Sequence, residues 1–543
     1  MDMNHSCAGC KRREFLMQLG LLASAGAISG CGGLFSDDDL LLAIPPAVDA
    51  KAIPDKTGAA KVRVIFAYHK DDVQKRPDWP NVDFDFRPVM KNMIDTLNLR
   101  VDGVEFIPTH CIDQHDAGKL VDADEKQGEI QGYMFVQLNC WNTCIYAWNR
   151  TKKPVFYTPL PYAGDGGWLR HNSNLMNWQV PYCASFAALD FNKVVEVAKA
   201  FEVLKTLKGE AAGVAFRKQA MEIRKRLIPA DTPPPGIKVL DDKVACRTPE
   251  AALAKLKGLK ILSVERPADA KFAAEVKNTW GIEIIPVPFK VVNDACREAD
   301  KAEAKRVFES WTKKAKKIAS VTDETIFGCA KMYLGMRATL KKYGAHAITI
   351  NCLGGCYSGK LDAYPCLGFM QLQDDGLMGV CEDDLRATIS MMIGSALAND
   401  RVGYVSDPVL DMPNRAISYA HCVSTRRFFG PQGPESDFEI LTHSEDRKGA
   451  SVRAFAPIGN PVTTILVNPG SKQIVLHTGV VTANDRDDRA CRTKIVARVT
   501  GDYSKIEHTW ISKGWHRVTF MGDFREGIET LAKKVGYTID YES

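Results

Sequence analysis

Apolar residues along this chain come in short blocks that alternate between two spacings. From Lys61, "VRVIFAY", "GYMFVQLN" and "PVFYTP" are apolar runs of strand length, and "FRPVMKNMIDTL" repeats at helical spacing. The alternation resumes with "LKILSVE" and "IEIIPVPF", then helical stretches around residues 298–343, then "AITINCL". Strands alternating with helices predict α/β units with parallel sheets. From about Ser451 the spacing changes to strand after strand: "VRAFAP", "VTTILVNP", "QIVLHTGVV", "TKIVARVTG" and "WHRVTFMGD", which predicts antiparallel β-structure. A helical stretch over residues 191–227 leads into the proline-rich connection "IPADTPPPGIK".

One segment draws attention to its ends. In "VCEDDLRATISMMIGSALANDRVGYVSDP", Leu385, Ile389, Met392 and Ala396 share a face and Asn399-Asp400 stops the pattern, predicting a helix over 383–398 with acids in its first turn. "RVGYVSDP" then reads as a buried strand that Pro408 ends. The helix runs about 24 Å one way and the strand returns about 20 Å. Glu382 and Asp407 are therefore expected at one edge, the carboxyl end of an α/β sheet, where ligands bind. A helix-capping acid and a turn acid would explain the same two residues equally well.

The 543 residues are too many for one core and suggest three domains. The expected division is a leader over 1–31, a tether over 32–58, α/β domains over 59–175 and 176–407, and a mainly β domain over 408–543. A net charge of +5 forms no basic stripe and accompanies no nucleic-acid motif, so no nucleic-acid partner is expected. The leader "CKRREFLMQLGLLASAGAISGC" pairs Arg12-Arg13 with a mild apolar run from Met17 to Gly30, too short to span a bilayer. It resembles a twin-arginine export signal ending in a lipobox. The expectation is an exported, cell-envelope or periplasmic protein held to the membrane by a lipid on Cys31.

The chemistry-bearing motifs exclude several classes. "LGGCYSG" and "YAGDGGW" are glycine-rich but are not GxGxxG at a strand-helix turn, and no GxSxG elbow is present. Cys352, Cys356, Cys366 and Cys381 lack the paired spacing of structural zinc, and the dispersed cysteines read as buried thiols. His516, beside Trp515 at the start of a strand, and His421 in "SYAHCVS" are either structural or pocket residues. With Glu382 and Asp407, one histidine would complete an N and O donor set suited to Mn²⁺ or a similar divalent ion.

The stretches "NCLGGCYSGKLDAYPCLGFMQLQDDGLMGVCEDDL", "VSDP", "ISYAHC" and "GWHRVTFMGDFREGIETLAKKVGYTIDYE" resemble the L-fucose isomerase and L-arabinose isomerase superfamily. The resemblance implies two Rossmann-like α/β domains followed by a mainly antiparallel β domain, often assembled as a trimer or hexamer. It implies Glu382, Asp407 and His516 as ligands of Mn²⁺ or another divalent metal, with Glu382 and Asp407 catalytic. Trp515, standing where that family has Asn, and His421 are then pocket residues for a small-molecule sugar. The implied reaction is aldose-ketose isomerisation of a pentose or 6-deoxyhexose through an enediolate. The alternative is an exported lipoprotein that binds sugar on the same fold without turnover.

Overall fold

The structure is a computed structural model that describes residues 44–543; Arg12, Arg13 and Cys31 lie outside the described residues. It has mixed α/β architecture, with two parallel sheets and a closed antiparallel barrel. The first sheet is formed by β1 (Ala60–Ala67), β2 (Val104–Cys111), β3 (Ile130–Gln137), β4 (Val155–Pro159) and β5 (Cys183–Ser185), in the order β2-β1-β3-β4-β5. Its central strands are buried along nearly their whole length, which is why they read as apolar runs. The helical stretch over 191–227 is interrupted: one helix spans Phe191–Ala198 and another Gly209–Leu227. Phe201, in the short 3-10 turn between them, and Phe216 stack with centroids 4.5 Å apart, tying this layer to Phe106 of the first sheet.

The second sheet takes β6 (Lys260–Val264), β7 (Glu283–Val287), β9 (Ala347–Ile350) and β10 (Met378–Val380), in the order β10-β9-β6-β7. Between them, β8 (Lys317–Ala319) pairs instead with β13 (Phe438–Leu441), which pairs with β14 (Ser451–Ala454). This small sheet fastens the last third of the chain to the helices of the second α/β layer.

The barrel strands are β11 (Tyr404–Asp411), β12 (Ala416–His421), β15 (Pro461–Asn468), β16 (Gln473–Asn484), β17 (Thr493–Val499) and β18 (Arg517–Met521). They run β15-β18-β11-β12-β17-β16, and β15 pairs with β16 to close the ring, leaving no open edge among the six. A last strand, β19 (Thr538–Tyr541), adds parallel to β16.

The segment "RVGYVSDP" corrects the reading given above. It does not finish a parallel sheet: β11 is antiparallel to both β12 and β18, and Asp407 lies inside it rather than at its end. Pro408 does not stop the strand, because the ladder to β18 ends at Ser406 and leaves a side of β11 where a residue without an N–H breaks no bond. The preceding helix spans Leu385–Leu397, so the acids lie before it and Asp384 caps it, accepting the Ala387 N–H at 2.9 Å. A Cβ on Gly394 would meet the Phe520 ring at 2.3 Å, so the missing side chain lets this helix lie directly on β18.

Val405, Ile465, Leu476 and Val518 turn toward this helix and form an apolar face with it. The opposite face, inside the ring, is polar and mostly paired, the Ser406 hydroxyl being left without a partner. Thr464 and Thr519 share a hydroxyl hydrogen bond of 2.9 Å, and Tyr419 meets His477 Nε2 at 2.7 Å. His477 Nδ1 lies 3.1 Å from Glu542, whose carboxylate is clasped by Arg517 Nε (2.9 Å) and Nη2. Arg517 also donates to the carbonyls of Trp510, Gly514 and His516, so this buried pair fixes the chain where it enters β18.

Burial opposes ionisation of Glu542, but the Arg517 charge and the hydrogen bonds from Arg517 and His477 overcome it and hold the carboxyl at about 2. A carboxyl depressed in the fold contributes stability above its unfolded value near 4.3, and that contribution is lost as pH falls toward 2. Glu542→Gln leaves Arg517 buried without its counter-charge and should cost roughly 3–5 kcal/mol in denaturant unfolding at pH 7. The deficit should shrink between about pH 4 and pH 2.

Candidate metal centre

The second sheet and the barrel meet at one point. Glu382 lies in the turn between β10 and the helix Leu385–Leu397, Asp407 within β11, His421 at the end of β12, and His516 just before β18. Ser406 pairs with Arg517, so Asp407 and His516 are successive across one strand pair. One donor atom from each of Glu382, Asp407, His421 and His516 lies within 4.8 Å of the others. His516 Nε2 is 3.3 Å from Asp407 Oδ1 and 3.6 Å from Glu382 Oε2, and His421 Nε2 is 3.7 Å from Glu382 Oε1.

Glu382 is aimed by an unusual backbone. Glu382 and Asp383 have φ of 64° and 53°, left-handed values that cost on the order of 1–3 kcal/mol each outside glycine. The turn is held by the Asp383 N–H on the Ile350 carbonyl (2.9 Å), the Ser263 hydroxyl on Asp383 (2.8 Å) and the Glu382 N–H on the Cys352 sulfur (3.4 Å). His516 is oriented by Asp384, which lies 2.9 Å from Nδ1. A proton on Nδ1 leaves the Nε2 lone pair facing the cluster, the carboxylate-histidine arrangement common behind metal-binding imidazoles. Trp515 donates its indole N–H to Asp407 Oδ1 at 2.5 Å.

The donor set fits a cation by its own accounting. His421 and His516 are 1% and 3% exposed, yet both ring nitrogens of His421 and Nε2 of His516 have no hydrogen-bond partner among the described residues. Bare buried nitrogens cost about 1–3 kcal/mol each, which a metal ion would relieve. With the four side chains alone, burial raises Glu382 to about 8, opposed by the His516 charge and reinforced by Asp407. Burial lowers His421. Burial disfavours charge on His516 too, but Asp407, Asp384 and Glu382 raise it well above its ordinary value. Asp384, against its burial, is held at about 2 by the hydrogen bond to His516.

Of the residues singled out in the sequence, Glu382, Asp407 and His516 converge here. His421 joins them as a fourth donor, lacking the hydrogen bonds a structural core histidine would show. Trp515 lies beside Asp407, with Gly166 of the first layer so close that a Cβ there would meet its ring at 2.7 Å. Two contributors were not singled out. Asp384 is visible in "CEDDL" only as one of three acids, and its role depends on a histidine 132 residues away. Trp141, from the loop after β3, stacks on Trp515 with centroids 5.4 Å apart and stays 57% exposed. A cleft of about 880 Å³ opens from Glu382 and His516 and is walled by both tryptophans.

No protein-family model matches the chain. The chain is 28% identical over 101 residues to the sulfoquinovose isomerases of Priestia aryabhattai and of Priestia megaterium. Each match covers 18% of this chain and 22% of the relative, so the chain spans about a fifth of the length of these curated relatives.

Removing the orienting carboxylate should show in metal affinity before it shows in the fold. Asp384→Asn should weaken Mn²⁺ binding about 10- to 100-fold in a competition titration against a chelating dye. His421→Ala should weaken it as well. Unchanged affinity in both variants would remove these residues from the metal centre.

Proposed function

We propose that the protein is a metal-dependent aldose-ketose isomerase. The observation that carries this reading is the cluster of two carboxylates and two imidazoles with bare buried nitrogens, at the mouth of a cleft large enough for a sugar. Partial similarity to two isomerases of a sulfonated sugar supports the reaction class, as does the resemblance to the fucose and arabinose isomerases.

Moving a hydrogen between C1 and C2 of an aldose means removing a proton from a very weak carbon acid. Mn²⁺ or a similar divalent ion held by Glu382, Asp407, His421 and His516 would supply Lewis-acid polarisation of the sugar oxygens. The chain's own groups do the rest. Glu382 comes from the α/β turn and Asp407 from the barrel; in this reading the two carboxylates flank the C1-C2 bond of the sugar. One removes the proton and the other serves the oxygen, exchanging roles with reaction direction. The Trp515 N–H holds Asp407 in place, Asp384 holds His516, and the Trp141-Trp515 stack shields one wall of the pocket from water.

A pentose or 6-deoxyhexose substrate, a trimeric or hexameric assembly, and twin-arginine export with a lipid anchor on Cys31 belong to the same proposal. Cys31→Ser should shift the protein from the membrane fraction to the soluble fraction.

The test of the reaction is solvent exchange. Mn²⁺-loaded protein in D₂O should place deuterium at C2 of its sugar, and Glu382→Gln and Asp407→Asn should each lose at least about 10²-fold in turnover. Tight sugar binding with no exchange by the native protein would instead favour a sugar-binding lipoprotein.

A further inference from the structure

The cleft beside the metal centre carries charge that the isomerase reading does not use. Arg266 and Arg386 both line it, together with Glu382, Asp384 and His516. Among the described residues neither arginine forms a salt bridge, although the Arg266 charge acts on Asp383 and the Arg386 charge on Asp384. Arg386 Nη1 leans on Asn468 Oδ1 and on the Lys513 carbonyl, each at 3.4 Å, and Arg266 Nη2 on Asn351 Oδ1 at 3.5 Å. These are long contacts to neutral acceptors. They orient each guanidinium without neutralising it and leave most of its N–H groups free.

The neighbouring charges are engaged elsewhere. Asp384 is shared between His516 and the Ala387 N–H, Asp383 accepts from Ser263, and Asp269 caps a helix through the Phe272 N–H. Lys513 is paired with Asp540 at 2.5 Å. Of the lysine and arginine side chains that line this cleft, the two guanidinium groups are the ones without a salt bridge. Arg386 is also close to the cluster along the chain: a Cβ on Gly514, two residues before His516, would lie 3.3 Å from its guanidinium carbon.

A guanidinium offers a planar fork of donors that matches the oxygens of a phosphate, sulfonate or carboxylate. We propose that Arg266 and Arg386 form a subsite for an oxyanion on the far end of the sugar, so that the substrate is an anionic aldose rather than a neutral pentose or 6-deoxyhexose. This rests on the isomerase reading for the end of the sugar at the metal centre. The subsite itself stands on two arginines without a salt bridge and the cleft they share with Glu382 and His516. It also gives the 880 Å³ cleft an occupant longer than a pentose.

The test uses full-length, Mn²⁺-loaded protein and titrates the 6-phosphate, 6-sulfonate and 6-carboxylate derivatives of glucose, galactose and mannose, each against its neutral parent. At least one derivative should bind about tenfold or more tighter than its parent, and the arm that does so identifies the oxyanion. In Arg266→Met and in Arg386→Met the ratio of anionic to neutral affinity should fall toward one, and the corresponding Lys variants should recover part of it. Circular dichroism and the melting temperature check that each variant is folded. Neutral sugars binding as tightly as their anionic derivatives, no binding by any derivative, or a ratio that survives both Met substitutions would overturn the subsite. Charge-dependent binding without deuterium exchange would defeat the isomerase reading and leave the subsite standing. Exchange on a neutral sugar with no anion preference would do the reverse.

Discussion

Two carboxylates and two imidazoles gathered within 4.8 Å, with three ring nitrogens left bare, need more than mutual attraction to stay in place. The rest of the structure has to hold them. Asp384 fixes His516, the Arg517-Glu542 pair fixes the chain one residue later, and a left-handed turn braced by Ser263 and the Ile350 carbonyl fixes Glu382. Each brace comes from a different part of the sequence, so the centre exists only where the second sheet and the closed barrel meet. Buried polar groups are accepted inside the barrel on the same terms, because nearly every one there has a partner.

Local pattern made much of this legible. The helix Leu385–Leu397 follows from its apolar spacing, and β1, β3, β4, β6, β7 and β9 follow from apolar runs, whereas β2, β5 and β10 do not stand out. The same patterns misplace β11. An eight-residue buried strand looks alike whether its neighbours are parallel or antiparallel, and only pairing with β12 and β18 assigns it to the barrel. Asp407 reaches Glu382 across a junction of layers, not along one sheet edge.

The site shows the same division between local and distant signals. Glu382, Asp407 and His516 stand out through their motifs, whereas His421 in "SYAHCVS" is ambiguous until the lack of hydrogen-bond partners on its buried ring is seen. Asp384 and Trp141 act through residues more than a hundred positions away, which no spacing rule reaches. That Arg266 and Arg386 lack a salt bridge is likewise a property of what surrounds them in space.

The central claim is that these four side chains hold one divalent ion. Anomalous diffraction at the manganese edge, from crystals grown with Mn²⁺, addresses it without any knowledge of the substrate. The account predicts one strong peak ligated by Glu382, Asp407, His421 and His516, with Mn–O distances of about 2.1–2.2 Å. A fully ordered cluster with no peak between its donors, or a peak elsewhere while these residues stay empty, would contradict it.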